Sequence, residues 1–184
     1  MKRIGRWAVC LMIALLFWIA CPAGNAEDQI QTYFLNVGKA DAILLRLNGQ
    51  DYLVDTGSKE SYDQMEDALR MLGVDRLAGV IITHTDKDHV GGLKKLLKSE
   101  IDVERVYAGK LHSEKSDEDH PAYSAAEKRN VPFTWLGAGE KIQAGECVMD
   151  ILGPLSLDAE DENNNSLVLR LTTPEGTALL MGDA

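Results

Sequence analysis

The sequence predicts an α/β protein whose functional residues follow a buried β-strand. Residues 77–82 form a short apolar run with branched side chains, as expected of a buried strand. Residues 83–92 then read Thr-His-Thr-Asp-Lys-Asp-His-Val-Gly-Gly, with four potential metal ligands in six positions. Residues 93–98 have the composition of a helix. In α/β proteins a functional site usually lies at the carboxyl end of such a strand.

The first 26 residues have the pattern of a secretory signal peptide. Three basic residues, Lys2, Arg3 and Arg6, precede an uncharged apolar run over residues 7–21, and small residues follow at a possible cleavage site. A membrane-spanning helix needs about 20 apolar residues, so cleavage is favoured over a retained anchor.

One domain is expected over residues 27–184, in a secreted or periplasmic protein with no membrane span after cleavage of the signal. Lipidation at Cys21, which follows Ala20, is an alternative fate of the signal. Cys147 is the one cysteine of the expected domain, so a buried core and not a disulfide must stabilise it.

The charge of the domain limits its partners. Without the three basic signal residues, the chain keeps 16 Lys and Arg against 29 Asp and Glu, a net charge of −13. Such a surface repels nucleic acid at long range and has no basic footprint for stable binding. Nucleic acid is therefore expected only as a substrate held locally. The sequence pattern leaves the oligomeric state of the protein open.

The opening of the domain predicts an antiparallel hairpin followed by a helix. Asn48-Gly49 is a hairpin turn signal between two apolar segments. Ser61 with Gln64 has the capping-box spacing, and Gly73 ends the helical pattern. The further expected elements are strands at 30–35, 42–47, 52–54, 77–83, 103–107, 133–135, 147–152, 166–171 and 177–181, an exposed loop at 110–119 and a helix at 121–129.

The spacing within the ligand-rich loop predicts two metal centres. His84 and Asp86 are two residues apart and can point to one side, whereas Asp88 and His89 are adjacent and point apart. Imidazole and carboxylate ligands together suit Zn²⁺, Mn²⁺ or Fe. Two such ions activate water at neutral pH and hold the attacked and leaving oxygens, which indicates hydrolysis.

A solvated loop is the alternative interpretation of these residues, but four ligands in six positions between a strand and a Gly-Gly helix entry argue against it. His112 and His120 lie in or beside the charged loop, and we expect both to be solvent-exposed and not to bind metal.

The loop resembles the His-x-His-x-Asp-His signature of the metallo-β-lactamase superfamily, with Asp86 in place of the second histidine. This variant is similar to that of the metallo-hydrolase domain of the ComEC-like late-competence proteins. Four further segments resemble that group's motifs in the same order: residues 35–42, 53–57, 164–168 and 180–184.

The resemblance implies a four-layer αββα sandwich with two divalent metal ions, Zn or Mn, at the edge of its two sheets. It assigns His84 and Asp86 to one ion, Asp88 and His89 to the other, and Asp183 as the bridge. The superfamily normally continues beyond the position of residue 184, so the resemblance also predicts a domain truncated at its C-terminus, from a fragment or a shortened copy.

Other matched positions have supporting roles. The resemblance implies that Asp55 orients the ligand loop and that Asp41 is structural or close to the substrate. Asn164, Asn165 and Ser166 lie where relatives often carry a third ligand, and a polar turn is an equally open interpretation.

The expected function is that of a secreted metal-dependent phosphodiesterase or nuclease, in which Asp88 or Asp183 orients the attacking water. Hydrolysis of an amide or ester, including a lactam, is a second possibility, although Asp86 in the motif argues against a typical lactamase. A truncated, non-catalytic binding or vestigial domain is the third. A role in DNA uptake does not follow from the resemblance.

Overall fold

The computed structural model describes residues 30–111 and 116–184. The signal-peptide prediction for residues 1–26 and the prediction for His112 lie outside these ranges. Within the two ranges, no helix has both the length and the apolar character that a membrane span requires.

Twelve strands and four α-helices form the described part of the chain. The strands are β1 (Gln31–Phe34), β2 (Ile43–Leu47), β3 (Gln50–Val54), β4 (Arg76–Leu77), β5 (Gly79–Ile82), β6 (Asp102–Val103), β7 (Val106–Gly109), β8 (Phe133–Leu136), β9 (Lys141–Ala144), β10 (Cys147–Gly153), β11 (Val168–Thr173) and β12 (Gly176–Leu180). The helices are α1 (Tyr62–Met71), α2 (Lys87–Val90), α3 (Leu93–Leu96) and α4 (Pro121–Glu127), with short 3₁₀ turns at Asp117–Asp119 and Asn163–Asn165.

The strands form a mixed six-stranded sheet, an antiparallel four-stranded sheet and a small parallel pair. The six-stranded order is β1-β2-β3-β5-β7-β8, antiparallel from β1 to β3 and parallel from β3 to β8. Asn48 and Gly49 both have positive φ, 50° and 75°, as a tight hairpin between β2 and β3 requires. The predicted antiparallel opening is therefore confirmed. The second sheet has the order β12-β11-β10-β9, and β4 pairs with β6.

Two hydrophobic cores lie on opposite faces of the six-stranded sheet. Along β5, Val80 and Ile82 belong to the core that includes the helices, whereas Ile81 belongs to the core shared with the four-stranded sheet. This alternation explains why every residue of β5 is buried. The helical core includes Tyr62, Met65, Leu69, Leu93, Leu96, Ala122 and Ala126, and the inter-sheet core includes Cys147, Met149, Ile151, Leu169 and Leu171.

The described residues thus supply three layers of the expected sandwich: helices, six-stranded sheet and four-stranded sheet. On the outer face of the second sheet, Leu152 and Leu179 are 39% and 51% exposed, although their neighbours Ile151 and Leu180 are buried between the sheets.

Several local predictions need correction. Ser61 begins helix α1 without a side-chain capping bond, because its hydroxyl accepts a hydrogen bond from the Ser58 N–H at 3.0 Å instead. The single strands predicted at 77–83 and 103–107 are each divided, because β4 and β6 pair with each other while β5 and β7 continue the main sheet. Strand β9 was not predicted.

Candidate metal centre

The ligand-rich loop follows β5 directly and packs against the segment that follows β3. The His89 carbonyl accepts hydrogen bonds from the Thr56 N–H at 2.7 Å and from its hydroxyl at 2.9 Å. A Cβ on Gly92 would lie 2.2 Å from the Thr56 carbonyl oxygen, and one on Gly91 would lie 2.2 Å from the Lys87 carbonyl oxygen. Only glycine permits this approach, so the Gly-Gly pair sets where the loop sits.

Asp55 connects the two ends of the loop. It is 2% exposed and has a φ of 59°, a left-handed conformation that Asp tolerates better than most residues. Its carboxylate accepts hydrogen bonds from the Thr83 N–H at 2.8 Å and the Thr83 hydroxyl at 2.7 Å. The same carboxylate lies 2.8 Å from His89 Nδ1. One buried acid therefore contacts the loop just before its first ligand residue and at its last one.

These contacts determine which ring nitrogens face the centre as ligands. A carboxylate only accepts hydrogen bonds, so His89 Nδ1 must carry the proton shared with Asp55. The Thr83 hydroxyl donates its proton to Asp55, so toward His84 Nδ1, 3.2 Å away, it acts as an acceptor. Both histidines consequently hold a proton on Nδ1 and direct Nε2 into the centre. In metal-binding histidines the ring nitrogen that does not bind the metal typically donates a hydrogen bond to a neighbouring group, which fixes the tautomer.

Three side chains converge where these nitrogens point. One ligand atom from each of His84, His89 and Asp183 lies within 4.8 Å of the other two. The ring centroids of the two histidines are 4.1 Å apart, and His89 Nε2 lies 3.3 Å from Asp183 Oδ1. The Asp183 side chain is 40% exposed, so the centre is open to solvent on its side.

The residues present fit a metal ion. His84 Nε2 is buried and has no hydrogen-bond partner among the residues that the structure describes. Such a group costs about 1–3 kcal/mol when unsatisfied, and a bound cation would satisfy it. Two imidazoles with a carboxylate suit Zn²⁺, Mn²⁺ or Fe.

The surroundings of His89 favour positive charge at this point. Burial acts to lower the pKa of His89, but the hydrogen bond and charge of Asp55, with the charges of Asp183 and Asp41, outweigh it and raise the pKa to about 9. In the metal-free protein the ring is therefore protonated at neutral pH, and a metal ion on Nε2 would replace that proton.

The other predicted acids are not among the three converging ligand groups. Asp86 Oδ2 is 4.0 Å from His84 Nε2, and the Asp86 side chain is half exposed. Asp41 Oδ2 is 4.0 Å from His89 Nδ1. Asp88 is half-buried, and its carbonyl accepts a hydrogen bond from the Asp41 N–H at 3.1 Å. Asp41 thus lies against the ligand loop through both its backbone and its carboxylate.

The Asn-Asn-Ser segment forms a turn that supports Asp183. Asn165 accepts a hydrogen bond from the Asp158 N–H at 2.6 Å and donates to the Asp158 carbonyl at 2.8 Å. Asn164 donates to the Asp158 carboxylate at 2.9 Å. The Ser166 hydroxyl accepts a hydrogen bond from the Asp183 N–H at 3.3 Å. Ser166 therefore holds the backbone of the third converging residue.

The prediction that His120 is solvent-exposed was wrong, because the residue is 2% exposed. Its Nδ1 accepts a hydrogen bond from the Ala122 N–H at 3.2 Å at the start of α4, and its ring packs edge-on against Trp135 at 5.2 Å. The side chain that begins a helix was mistaken for part of the charged loop before it.

Thr56 and Thr83 contribute to the centre but were not singled out in the sequence. Each lies beside a predicted functional residue, at the end of a strand. Threonine is common at the end of a strand, so the sequence alone does not mark these two residues as part of the site. Their contacts in the structure do.

The family comparison matches most of the chain. A model described as the metallo-beta-lactamase superfamily matches residues 35–184. ComE operon protein 3 of Bacillus subtilis (strain 168) is 27% identical over 192 residues, which cover 95% of this chain and 24% of that protein. Recombination protein 2 of Haemophilus influenzae is 27% identical over 177 residues, covering 94% of this chain and 21% of that protein. The resemblance to the ComEC-like competence proteins is thereby confirmed, and the chain spans about a quarter of the length of these relatives.

Solved structures with the same fold have low sequence identity. The metallo-beta-lactamase fold protein YhfI from Bacillus subtilis has a TM-score of 0.57 and 14% identity, with 85% of this chain and 64% of that chain covered. A metallo-beta-lactamase from Cronobacter sakazakii, mutated in its HARLDQ motif, has a TM-score of 0.56 and 18% identity, with 82% and 63% covered. These similarities show a common fold with the two proteins.

Proposed function

Since the chain belongs to the metallo-beta-lactamase superfamily, we propose that it is a metal-dependent hydrolase that cleaves phosphodiester bonds. The observation that carries this proposal is the convergence of His84, His89 and Asp183, with a buried, unpaired nitrogen at its centre. The relatives are named for the ComE operon, recombination and competence. These names favour a phosphodiester over a lactam as the substrate.

In this proposal the chain holds two divalent ions, Zn or Mn. His84 and Asp86 contribute to one ion, Asp88 and His89 to the other, and Asp183 to both. Bound ions would supply a Lewis acid that lowers the pKa of a water molecule and offsets charge on the phosphate oxygens. The hydrogen bonds that Asp55 and Thr83 accept from Nδ1 of His89 and His84 support the proposal, because they already orient both imidazoles.

The aspartates of the centre would position the attacking water. Asp183 is partly exposed beside both rings, so its carboxylate can accept a hydrogen bond from a water that enters from solvent. Asp88, next to His89 in the ligand loop, is the second candidate for this role. As the new oxygen–phosphorus bond forms and the ester oxygen leaves, one of these carboxylates would take the proton of the water.

We also propose that residues 1–26 direct export, so that the enzyme acts outside the cytoplasm. The basic start and the short apolar run support this. Mass spectrometry of the protein recovered from producing cells would then find a chain that begins after Ala26.

Hydrolysis of bis(p-nitrophenyl) phosphate tests the enzymatic proposal. We expect the purified chain to cleave it when Zn²⁺ or Mn²⁺ is supplied, and kcat/KM to fall at least about 100-fold in His84→Ala and Asp183→Ala, because loss of a ligand should cost at least as much as the 10–100-fold typical for a residue that only orients one. Asp67→Ala, on the exposed surface of α1, is the matched control and should retain activity.

Three results would contradict the proposal. Undiminished metal-dependent cleavage in both variants would place the chemistry elsewhere. Turnover of a chromogenic lactam without phosphodiester cleavage would favour amide hydrolysis. The absence of tightly bound transition metal from the purified protein would favour a non-catalytic binding domain.

A further inference from the structure

An apolar pocket lies where β7 and β8 end. It has a volume of about 410 Å³, and its remaining walls come from the turn before β9 and the segment that follows β10. More than half of its lining residues are apolar: Trp135, Leu136, Pro154, Leu155 and Leu157. A concave, largely apolar pocket of this volume with few polar groups is typical of a site for a small organic ligand.

The apolar wall of the pocket is incompletely covered by the protein itself. Leu155 is 90% exposed, more than any other large hydrophobic side chain of the described residues, and Trp135 and Leu157 are half-buried. A lone exposed leucine is ordinary on a protein surface. These side chains, however, adjoin one pocket, so a ligand with an apolar group would remove their exposed surfaces from water together.

One side chain of the pocket is a cation without a carboxylate partner. Lys110 is exposed, and no carboxylate of residues 30–111 and 116–184 lies within 4.0 Å of its ammonium group. Glu140 is the other charged residue of the lining, and its carboxylate accepts a hydrogen bond from the Gly137 N–H at 2.7 Å in the turn before β9. Lys110 is therefore the charged group that is available to pair with an anionic ligand.

The position of Lys110 relates the pocket to the metal centre. Lys110 also lines a second, small cavity together with Thr83 and His84. Strands β5 and β7, which end before His84 and Lys110, are parallel neighbours, so both residues lie at the same edge of the sheet. None of His84, His89 and Asp183 lines the pocket itself. The pocket is therefore a separate site near His84, and Lys110 is common to both cavities.

We propose that this pocket binds a small aromatic monoanion, with the ring of the ligand against Trp135 and Leu155 and its carboxylate or sulfonate group on Lys110. A flat ring suits the indole of Trp135, because pairs of aromatic rings gain energy beyond that of their buried area. One unpaired cation matches one negative charge. The inference goes beyond the proposed function, because binding in this pocket requires no cleavage of a bond.

Titration of the zinc-loaded full chain with 8-anilinonaphthalene-1-sulfonate tests the pocket, because this fluorescent probe combines a flat aromatic system with a single negative charge. We expect saturable binding at one site, with a Kd on the order of 10–100 µM for a ligand of this size. N-phenyl-1-naphthylamine, which has the same rings without the sulfonate, is the neutral comparison.

Two variants test the two parts of the ligand. Lys110→Gln should weaken binding of the sulfonate about two- to fivefold, the range for an exposed ion pair, and leave binding of the neutral probe unchanged. Leu155→Ala should weaken binding of both probes about fivefold, because the ligand then covers less apolar surface. Lys98→Gln and Met71→Ala are the matched controls, since Lys98 is exposed, Met71 is 89% exposed, and neither lines the pocket.

Equal affinities of Lys110→Gln and Lys98→Gln for the sulfonate would overturn the inference, because the position of the cation would then have no role in binding. Equal affinities of Leu155→Ala and Met71→Ala would also overturn it, since the probes would then bind exposed apolar side chains in general.

The pocket and the hydrolase are tested separately. Cleavage of bis(p-nitrophenyl) phosphate without binding of the sulfonate that depends on Lys110 leaves the hydrolase and overturns the pocket. Binding that depends on Lys110 and Leu155, without any metal-dependent cleavage, supports the pocket and overturns the hydrolase.

Discussion

Asp55 illustrates how a residue outside the ligand set controls the ligands. Its carboxylate contacts Thr83 twice and His89 once, and through the Thr83 hydroxyl it also acts on His84. Both rings consequently present Nε2 to the same point. At this scale, the hydroxyl of Thr83 connects Asp55 to the imidazole of His84.

Replacement of Thr83 by valine tests this relay. The change removes the acceptor for His84 Nδ1 and one donor to Asp55, while it preserves the shape of the side chain. We expect Zn²⁺ affinity to fall about 10–100-fold, as is typical when a group that orients a metal ligand is lost. Competition with a chromophoric chelator measures this affinity.

Thr83→Ser, which keeps the hydroxyl, should retain most of the affinity. Circular dichroism of both variants would establish that the fold is intact. Equal affinity of the valine and serine variants would show that the hydroxyl does not orient His84.

The raised pKa of His89 predicts how stability changes with pH in the metal-free protein. The folded-state pKa of about 9 exceeds the ordinary value of 6.5. The stabilisation is therefore complete below about pH 6.5 and is lost as the pH rises through about 9, at about 1.4 kcal/mol for each pKa unit. We expect the urea concentration at the unfolding midpoint of chelator-treated protein to decrease as the pH is raised from 6.5 to 10.

Asp55→Asn removes the main group that raises this pKa, so its urea midpoint should depend less on pH over the same interval. If the variant and the natural sequence lose stability in parallel, other groups determine the pH dependence.

The sequence identified the ligand residues more readily than the contacts among them. His84, His89 and Asp183 belong to motifs that are visible as residue types in order. The Asp55–Thr83 contact joins residues 28 positions apart, and nothing in either local sequence specifies it. The same limit applied to His120, whose burial depends on its contact with Trp135.

Among the elements, the join between β5 and the following short helices determines the site. The Gly91-Gly92 pair lets this segment lie directly on the backbone after β3. Because that approach brings the Thr56 side chain to the His89 carbonyl, backbone packing and ligand placement are coupled here.

Gly92→Ala should disrupt this join. Its Cβ would lie 2.2 Å from the Thr56 carbonyl oxygen, so the backbone must move. We expect a loss of about 2 kcal/mol or more in the free energy of unfolding, within the range for overpacked sites, together with weaker metal binding. Urea denaturation and chelator competition measure the two effects.

Gly137→Ala is the matched control, because the nearest atom to its Cβ would be 3.8 Å away. If Gly92→Ala were as stable and bound metal as tightly as this control, the close approach would have no role in placing the loop.

Elements with a strong local pattern were predicted well, and those defined by their partners were not. The β2–β3 hairpin follows from Asn48-Gly49, and helix α1 follows from its apolar spacing. Strand β9 is four residues between turns, and only its pairing with β10 makes it a strand. The division of residues 77–83 likewise depends on the separate pairing of β4 with β6.

At the scale of the whole molecule, the six-stranded sheet separates two hydrophobic cores. The site lies at the edge of this sheet, and residues next to each core position it. The helical core supports the ligand loop, while Ser166 and Asp183 are adjacent to the second sheet. The order of the layers was predictable through the resemblance. The assignment of particular side chains to the two cores required the register of the strands.

Met149→Ala tests the contribution of the inter-sheet core. Met149 is fully buried between the sheets, so its truncation leaves a cavity. We expect the free energy of unfolding to fall by about 2–5 kcal/mol, as for other large-to-small core changes. Leu155→Ala, at a position 90% exposed, should change it by less than about 0.5 kcal/mol, and similar losses in both variants would contradict the two-core description.

The convergence of His89 with Asp183 has a consequence for biosynthesis. The two residues whose atoms lie 3.3 Å apart are 94 positions apart in the chain. A ribosome that has released the ligand loop must still translate both strands of the β10–β11 pair, and then β12, before Asp183 emerges. The complete centre therefore forms only after β12 has been translated, and a nascent chain shorter than this lacks Asp183, the carboxylate that lies beside both histidines.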